Sequence, residues 1–158
     1  YYNHLNTGRP LKEGKWFSKF TSNYLDIDND PLYPFGYGLS YTTFKYGKPT
    51  LSSNTMTNNE TISVSVDITN TGNYDADEIA QMYIRDLAAS VSRPVKELKG
   101  FERISIKKGE TKTVTFTITP EDLKFYNQEL EYKNEPGEFE VMVGPNSKDV
   151  QTLTFTLK

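Results

Sequence analysis

In Thr61-Ile62-Ser63-Val64-Ser65-Val66-Asp67-Ile68-Thr69 every even-numbered residue is aliphatic and every odd-numbered one is polar. Successive side chains of an extended chain point to opposite faces, so this alternation predicts a strand with one face buried. The same period continues toward the C-terminus, punctuated by turns. Asn70-Thr71-Gly72-Asn73 ends the first strand. Ala80, Met82 and Ile84 form the next inward set, with Gln81 and Tyr83 on the other face. Phe101, Ile104 and Ile106 are expected to point inward as a group. After the Lys108-Gly109 turn, Val114, Phe116 and Ile118 face the core, while Thr111, Thr113, Thr115 and Thr117 line the opposite side. Threonine is branched at Cβ and suits an extended backbone that meets water. Thr119-Pro120-Glu121-Asp122 reads as the start of one short helix that carries Leu123 inward. Phe139, Val141 and Val143, closed by Gly144-Pro145-Asn146, and then Leu153, Phe155 and Leu157 complete the series. About seven strands with no long helix between them argue for an all-β, antiparallel sandwich. A barrel would give the same period.

Upstream, Tyr33-Pro34-Phe35-Gly36-Tyr37-Gly38-Leu39-Ser40-Tyr41-Thr42-Thr43-Phe44 packs five aromatic rings, two glycines and a proline into twelve positions. Such a turn is expected to be clamped against something, with Phe35, Tyr37 and Phe44 integral to the core. Residues 1–32 show neither period but carry Trp16, Phe17 and Phe20, more aromatic surface than a disordered tail holds. They are expected to form an ordered strap, with the β domain running from 33 to 158. A sequence opening at Tyr1 without an initiating methionine is expected to be part of a longer chain.

Composition narrows the function classes. The 158 residues carry a formal charge of −3 and no basic cluster, which argues against nucleic acid as a partner. No apolar run reaches membrane-spanning length and no signal peptide is visible, so no membrane partner is expected, and the compartment stays open. Without cysteine there is no disulfide, thiol nucleophile or thiolate metal site. The only histidine is His4, and no Gly-x-Ser-x-Gly elbow or glycine-rich phosphate loop is present. Asp26, Asp28 and Asp30 open like a calcium loop, but Pro31 and Tyr37 stand where that loop needs glycine and glutamate. No cofactor or metal is therefore expected. Glycosidic chemistry needs only two carboxyl groups. Of the candidates Asp75, Asp77, Glu78, Asp86, Glu97, Glu102, Glu121, Asp122, Glu129, Glu131 and Glu135, nearly all fall in turns or on outward strand positions. None lies in an apolar run that would raise its pKa for acid catalysis. Asn59-Glu60-Thr61 matches a glycosylation acceptor. Ser92-Arg93-Pro94-Val95-Lys96-Glu97-Leu98-Lys99-Gly100-Phe101 suits a connection between sheets or an interface rim, with Arg93 able to grip a carboxylate or carbonyls in two places.

Several of these stretches together resemble family 3 glycoside hydrolases, the β-glucosidase group. Tyr33 to Phe44 looks like the signature that opens the last domain of that family. Arg93, Pro94, Lys96, Leu98, Gly100 and Phe101 resemble its second hallmark. Asn70-Thr71-Gly72, the strand Ile79 to Ile84, Lys108-Gly109-Glu110-Thr111 and Pro136-Gly137-Glu138-Phe139 also match, with Ala76 standing where a glycine is frequent. Tyr2-Asn3-His4 and Thr7-Gly8-Arg9-Pro10 look most like the bacterial periplasmic branch.

The resemblance implies a C-terminal fibronectin type III-like sandwich, with residues 1–32 as the exit from a preceding α/β domain. In the family the catalytic aspartate, and in many members the acid/base glutamate, come from upstream domains, so no catalytic residue is carried over. The implied role is an accessory domain docked on the catalytic domains of the same polypeptide, meeting oligosaccharide only through the parent hydrolase. Tyr33, Phe35, Tyr37, Arg93, Lys96 and Phe101 are the candidate interface residues, and Arg9 and Trp16 the candidate substrate rim. An autonomous carbohydrate-binding or adhesion module is the alternative. Its mark would be aromatic rings on an open face, for which Tyr74 and Tyr83 are the candidates, since Trp16 lies outside the sandwich.

Overall fold

The long alternating runs form the two central strands of two facing sheets. The computed structural model describes residues 19–21, 26 and 30–158. The strands in chain order are β1 (Phe44–Tyr46), β2 (Thr50–Leu51), β3 (Thr55–Met56), β4 (Ile62–Asn70), β5 (Ala76–Asp86), β6 (Glu97–Ile106) and β7 (Thr111–Ile118). After a 3-10 turn at Pro120–Leu123 come β8 (Phe125–Tyr126), β9 (Tyr132–Lys133), β10 (Gly137–Gly144) and β11 (Gln151–Leu157). In the first sheet β4 has β1 and β2 along one edge and β7 along the other. The second runs β3-β11-β10-β5-β6, and β8 and β9 form a separate hairpin. Two sheets rather than one closed cylinder make the fold a sandwich.

The expected alternation holds where both partners of a pair obey it. Ile62, Val64, Val66 and Ile68 of β4 are buried, as are Val114, Phe116 and Ile118 of β7. Across the core they meet Ala80, Met82 and Ile84, then Phe139, Val141, Val143, Phe155 and Leu157 of the second sheet. Phe139 and Phe155 are register partners, and their rings stack at 5.5 Å. On the outer side of the first sheet the polar set pairs across strands. Ser65 meets Thr115 and Thr69 meets Thr111, each at 2.8 Å, and the Thr113 hydroxyl donates to Asp67. Thr119 takes up Asp122 Oδ2 through both its N–H and its hydroxyl, which turns the chain and sinks Leu123.

Three expectations are corrected. The sandwich is not wholly antiparallel, because the two-residue β3 runs parallel to β11. Phe101 does not join Ile104 and Ile106. It lies an odd number of residues from both, so the period itself sends it to the other face, where it is 70% exposed. The lead-in rings are not core either: Phe35 and Tyr37 are each 45% exposed, and of the three only Phe44, on β1, packs against the core.

Candidate functional site

The face of β5 that points away from the core is the least ordinary part of the molecule. Alternation predicts that Gln81 and Tyr83 meet solvent, yet both are buried, along with Met142 beside Tyr83 in the register. The cover comes from the lead-in loop. Gln81 Nε2 donates to Gly36 O at 3.0 Å and to Pro145 O at 2.6 Å, while the Tyr83 hydroxyl donates to Gln81 Oε1. A buried amide with its donor and acceptor both engaged is stable only as a set, since leaving either unpaired costs about 1–3 kcal/mol. Gln81 therefore ties the loop before β1 to the β10–β11 connection. Ser147 N–H donates to Phe35 O at 2.9 Å and fixes the next residue back.

The other end of the loop is held at Asn70, which is fully buried at the end of β4. Its side-chain oxygen accepts from the Thr42 hydroxyl at 2.8 Å and from Gly72 N–H at 3.1 Å. Its amide donates to Tyr74 O and Ile106 O. Thr71 N–H donates to Thr43 O at 2.8 Å alongside. Between these two anchors the backbone is fixed while the side chains of Leu39 and Tyr41 stand exposed beside the half-exposed Tyr37, and Tyr33 and Phe35 lead into the first anchor, Tyr33 exposed and Phe35 half-exposed. Tyr33 and Tyr37 rings lie 5.3 Å apart. Phe101 is the register partner of Gln81 on β6, so its exposed ring sits on the same sheet face as the latch.

The segment between β5 and β6 braces the same region. Lys96 Nζ donates to Ser147 O. Arg93 turns inward instead: it pairs with Glu97 at 2.6 Å and lays its guanidinium 4.7 Å over the Phe125 ring. It lines, with Asp86, Glu97, Asp122, Leu123 and Phe139, a cavity of about 10 Å³, room for roughly one water and far too small for a sugar.

Tertiary burial gives two of the candidate carboxyls the raised pKa that no local run predicted. Desolvation pushes Glu78 above the usual carboxylate range, against the pull of the Tyr46 hydroxyl that donates to it at 2.8 Å. Burial likewise raises Asp86, although Ala88 N–H and Arg93 draw it down. The signal was available only across sheets, since Tyr46 is on β1 and Glu78 on β5. Asp77 is held low by Ser105 and by the Arg103 fork. Among the described residues no group of three or more histidine, cysteine, aspartate or glutamate side chains is placed to hold a metal. Asp30 pairs with Lys148 at 2.9 Å. Arg9, Trp16, His4 and Asp28 lie outside the described residues. Asn59 is exposed in the turn before β4.

Residues 78–147 match the fibronectin type III-like domain model. The chain is 54% identical over 157 residues to a periplasmic β-glucosidase of Salmonella typhimurium, covering 99% of this chain and 20% of that protein. It is 52% identical over 137 residues to a β-xylosidase of Formosa agariphila, covering 85% and 19%. The crystal structure of a β-glucosidase from Listeria innocua in complex with glucose superposes with a TM-score of 0.88 at 45% identity, covering 99% of this chain and 22% of that one. The chain thus spans about a fifth of the length of these relatives. Proteins named for two different sugars resemble it almost equally.

Proposed function

We propose that this chain, which resembles the fibronectin type III-like part of the β-glucosidase group of glycoside hydrolases, is a non-catalytic accessory domain. In this reading it docks on the catalytic domains of its own polypeptide, which hydrolyse β-linked glycosides. The observation that carries the proposal is the lead-in loop, whose backbone is pinned at Gln81, Ser147 and Asn70 while its rings are left on the surface. Water-exposed rings on a fixed backbone gain stability only when a partner covers them. Tyr33, Phe35, Tyr37 and Phe101 would make that contact, and Lys96 and Arg93 would hold the neighbouring segment in place. The near-equal resemblance to a glucosidase and a xylosidase supports a part that does not choose the sugar. Residues 1–32 would be the link to the preceding domain. By the resemblance alone, Arg9 and Trp16 of that link would border the substrate.

The two-sided test uses Tyr33→Ser with Phe101→Thr. In the 158-residue chain both positions are exposed, so its melting temperature should scarcely move. In the parent hydrolase the same pair should lower the melting temperature, because it removes buried apolar area at about 25 cal/mol per Å². Equal small shifts in both proteins would remove the docking role. In the same parent, Arg9→Ala should raise KM for longer substrates with little change in stability, and unchanged kinetics would take Arg9 off the rim. As an alternative binder, Tyr83 is removed by its complete burial in this structure.

A further inference from the structure

Among the described residues two buried side-chain atoms have no hydrogen-bond partner, Asp86 Oδ2 and Arg93 Nε. A buried donor or acceptor left unpaired is costly, more so when its group is charged. One of these atoms is an acceptor and the other a donor, and both side chains line the same cavity of about 10 Å³. The remaining polar atoms that hold the two side chains are engaged elsewhere. Asp86 Oδ1 accepts from Ala88 N–H at 3.1 Å. Arg93 Nη2 donates to Glu97 at 2.6 Å, and the guanidinium lies 4.7 Å over the Phe125 ring. Glu97 is gripped in turn by Lys99 at 3.0 Å. A fixed donor and a fixed acceptor thus belong to the wall of one small space.

We propose that this cavity holds one ordered water molecule, which accepts from Arg93 Nε–H and donates to Asp86 Oδ2. The chemistry of the pair singles out water. A metal cation or ammonium cannot accept from Nε–H, and a halide cannot donate to a carboxylate. The volume admits one molecule of that size and nothing larger. Nε–H and Nη2 share one edge of the guanidinium, and Nη2 is bonded to Glu97, so the second hydrogen of the water has the Glu97 carboxylate beside it. A buried water with about three partners is the usual case. Bulk solvent is kept from Asp86, which raises its carboxyl, and one held molecule replaces few of the lost contacts. The bridge joins the end of β5 to the Arg93-Pro94 segment and, through Phe125, to the β8–β9 hairpin, which pairs with neither sheet. It uses no ring of the lead-in loop, so it and the docking reading can fail separately.

The test is a crystal structure of the 158-residue chain at a resolution that shows ordered water. A density peak within about 3.2 Å of both Asp86 Oδ2 and Arg93 Nε is expected. Arg93→Met keeps the length of the side chain, removes its donors and should lose the peak. Asp86→Asn keeps an oxygen at that place and should retain it. In solution the Leu123 methyl protons, on the same cavity, should show cross-peaks to water of opposite sign in NOE and ROE spectra, the mark of a held molecule. That measurement on the unaltered chain answers the question even if a variant misfolds. Absence of the peak, a direct contact between Oδ2 and Nε, or a peak that survives Arg93→Met would overturn the proposal. So would its loss in a folded Asp86→Asn chain, or Leu123 methyls without such cross-peaks.

Discussion

Gly36 sits at φ 79°, and a Cβ built there would collide with the Gln81 side chain amide. Both the backbone and the space therefore demand glycine at this one position of the loop. Gly36→Ala should cost about 2 kcal/mol, since it strains the backbone and pushes Gln81 off two carbonyls. The loss should be local in its dynamics: amide exchange at Ser147, whose N–H is bonded to Phe35 O, should quicken more than exchange within β4. Uniform quickening across the domain would mean that the latch is part of the global fold instead. Gly72 is constrained by space alone, because a Cβ there would meet Thr42, the residue bonded to Asn70. Two of the family-like glycines thus stand where the loop touches the sandwich.

Between elements, the pair formed by Tyr46 on β1 and Glu78 on β5 links the two sheets across the open end of the core. Burial raises the Tyr46 hydroxyl as well as the Glu78 carboxyl, so both groups prefer their protonated forms. For Glu78 the folded chain keeps its proton to a higher pH than the unfolded chain does. Stability associated with this group is therefore full at low pH and falls as pH rises from the ordinary carboxylate range through the raised value. Glu78→Gln removes that slope while leaving an oxygen for the Tyr46 hydroxyl. Denaturant midpoints measured from pH 4 to 8 should converge toward the variant at acid pH and favour it near neutrality. Parallel curves for the two proteins would show that the carboxyl is not desolvated enough to matter. Arg103, Asp77 and Ser105 form an exposed cluster on neighbouring strands, and the lowered Asp77 works in the opposite sense, contributing above its pKa and losing effect as pH falls.

At the scale of the molecule we propose that the cooperative unit lies in the two sheets. Strand pairing starts at Phe44, and Asp30 is attached through one exposed ion pair to Lys148. Such a pair is worth about 0–1 kcal/mol. A chain lacking residues 1–32 should accordingly melt in one cooperative transition within a few degrees of the full chain, measured by circular dichroism. Loss of the transition would move the domain boundary upstream. The relatives are about five times longer than this chain.

The sequence alone settled the long alternating strands, the polar and apolar faces of β4 and β7, the turn at Thr119 and the family-like motifs. Each depends on neighbours within a few residues, where period two and side-chain branching act directly. It could not reveal that Gln81 and Tyr83 are buried, because their cover comes from Gly36 and Pro145, far away in the chain. Nor could it raise Glu78 and Asp86, whose pKa depends on water excluded by other strands. Phe101 was legible and misjudged, since parity already set it apart from Ile104. Arg93 and Lys96, alike as basic residues in one segment, were separated only by folding: one is drawn inward onto Glu97 and Phe125, the other reaches across to Ser147. Local periodicity determines which face a residue takes, but what lies above that face is decided by chain segments that meet only in three dimensions.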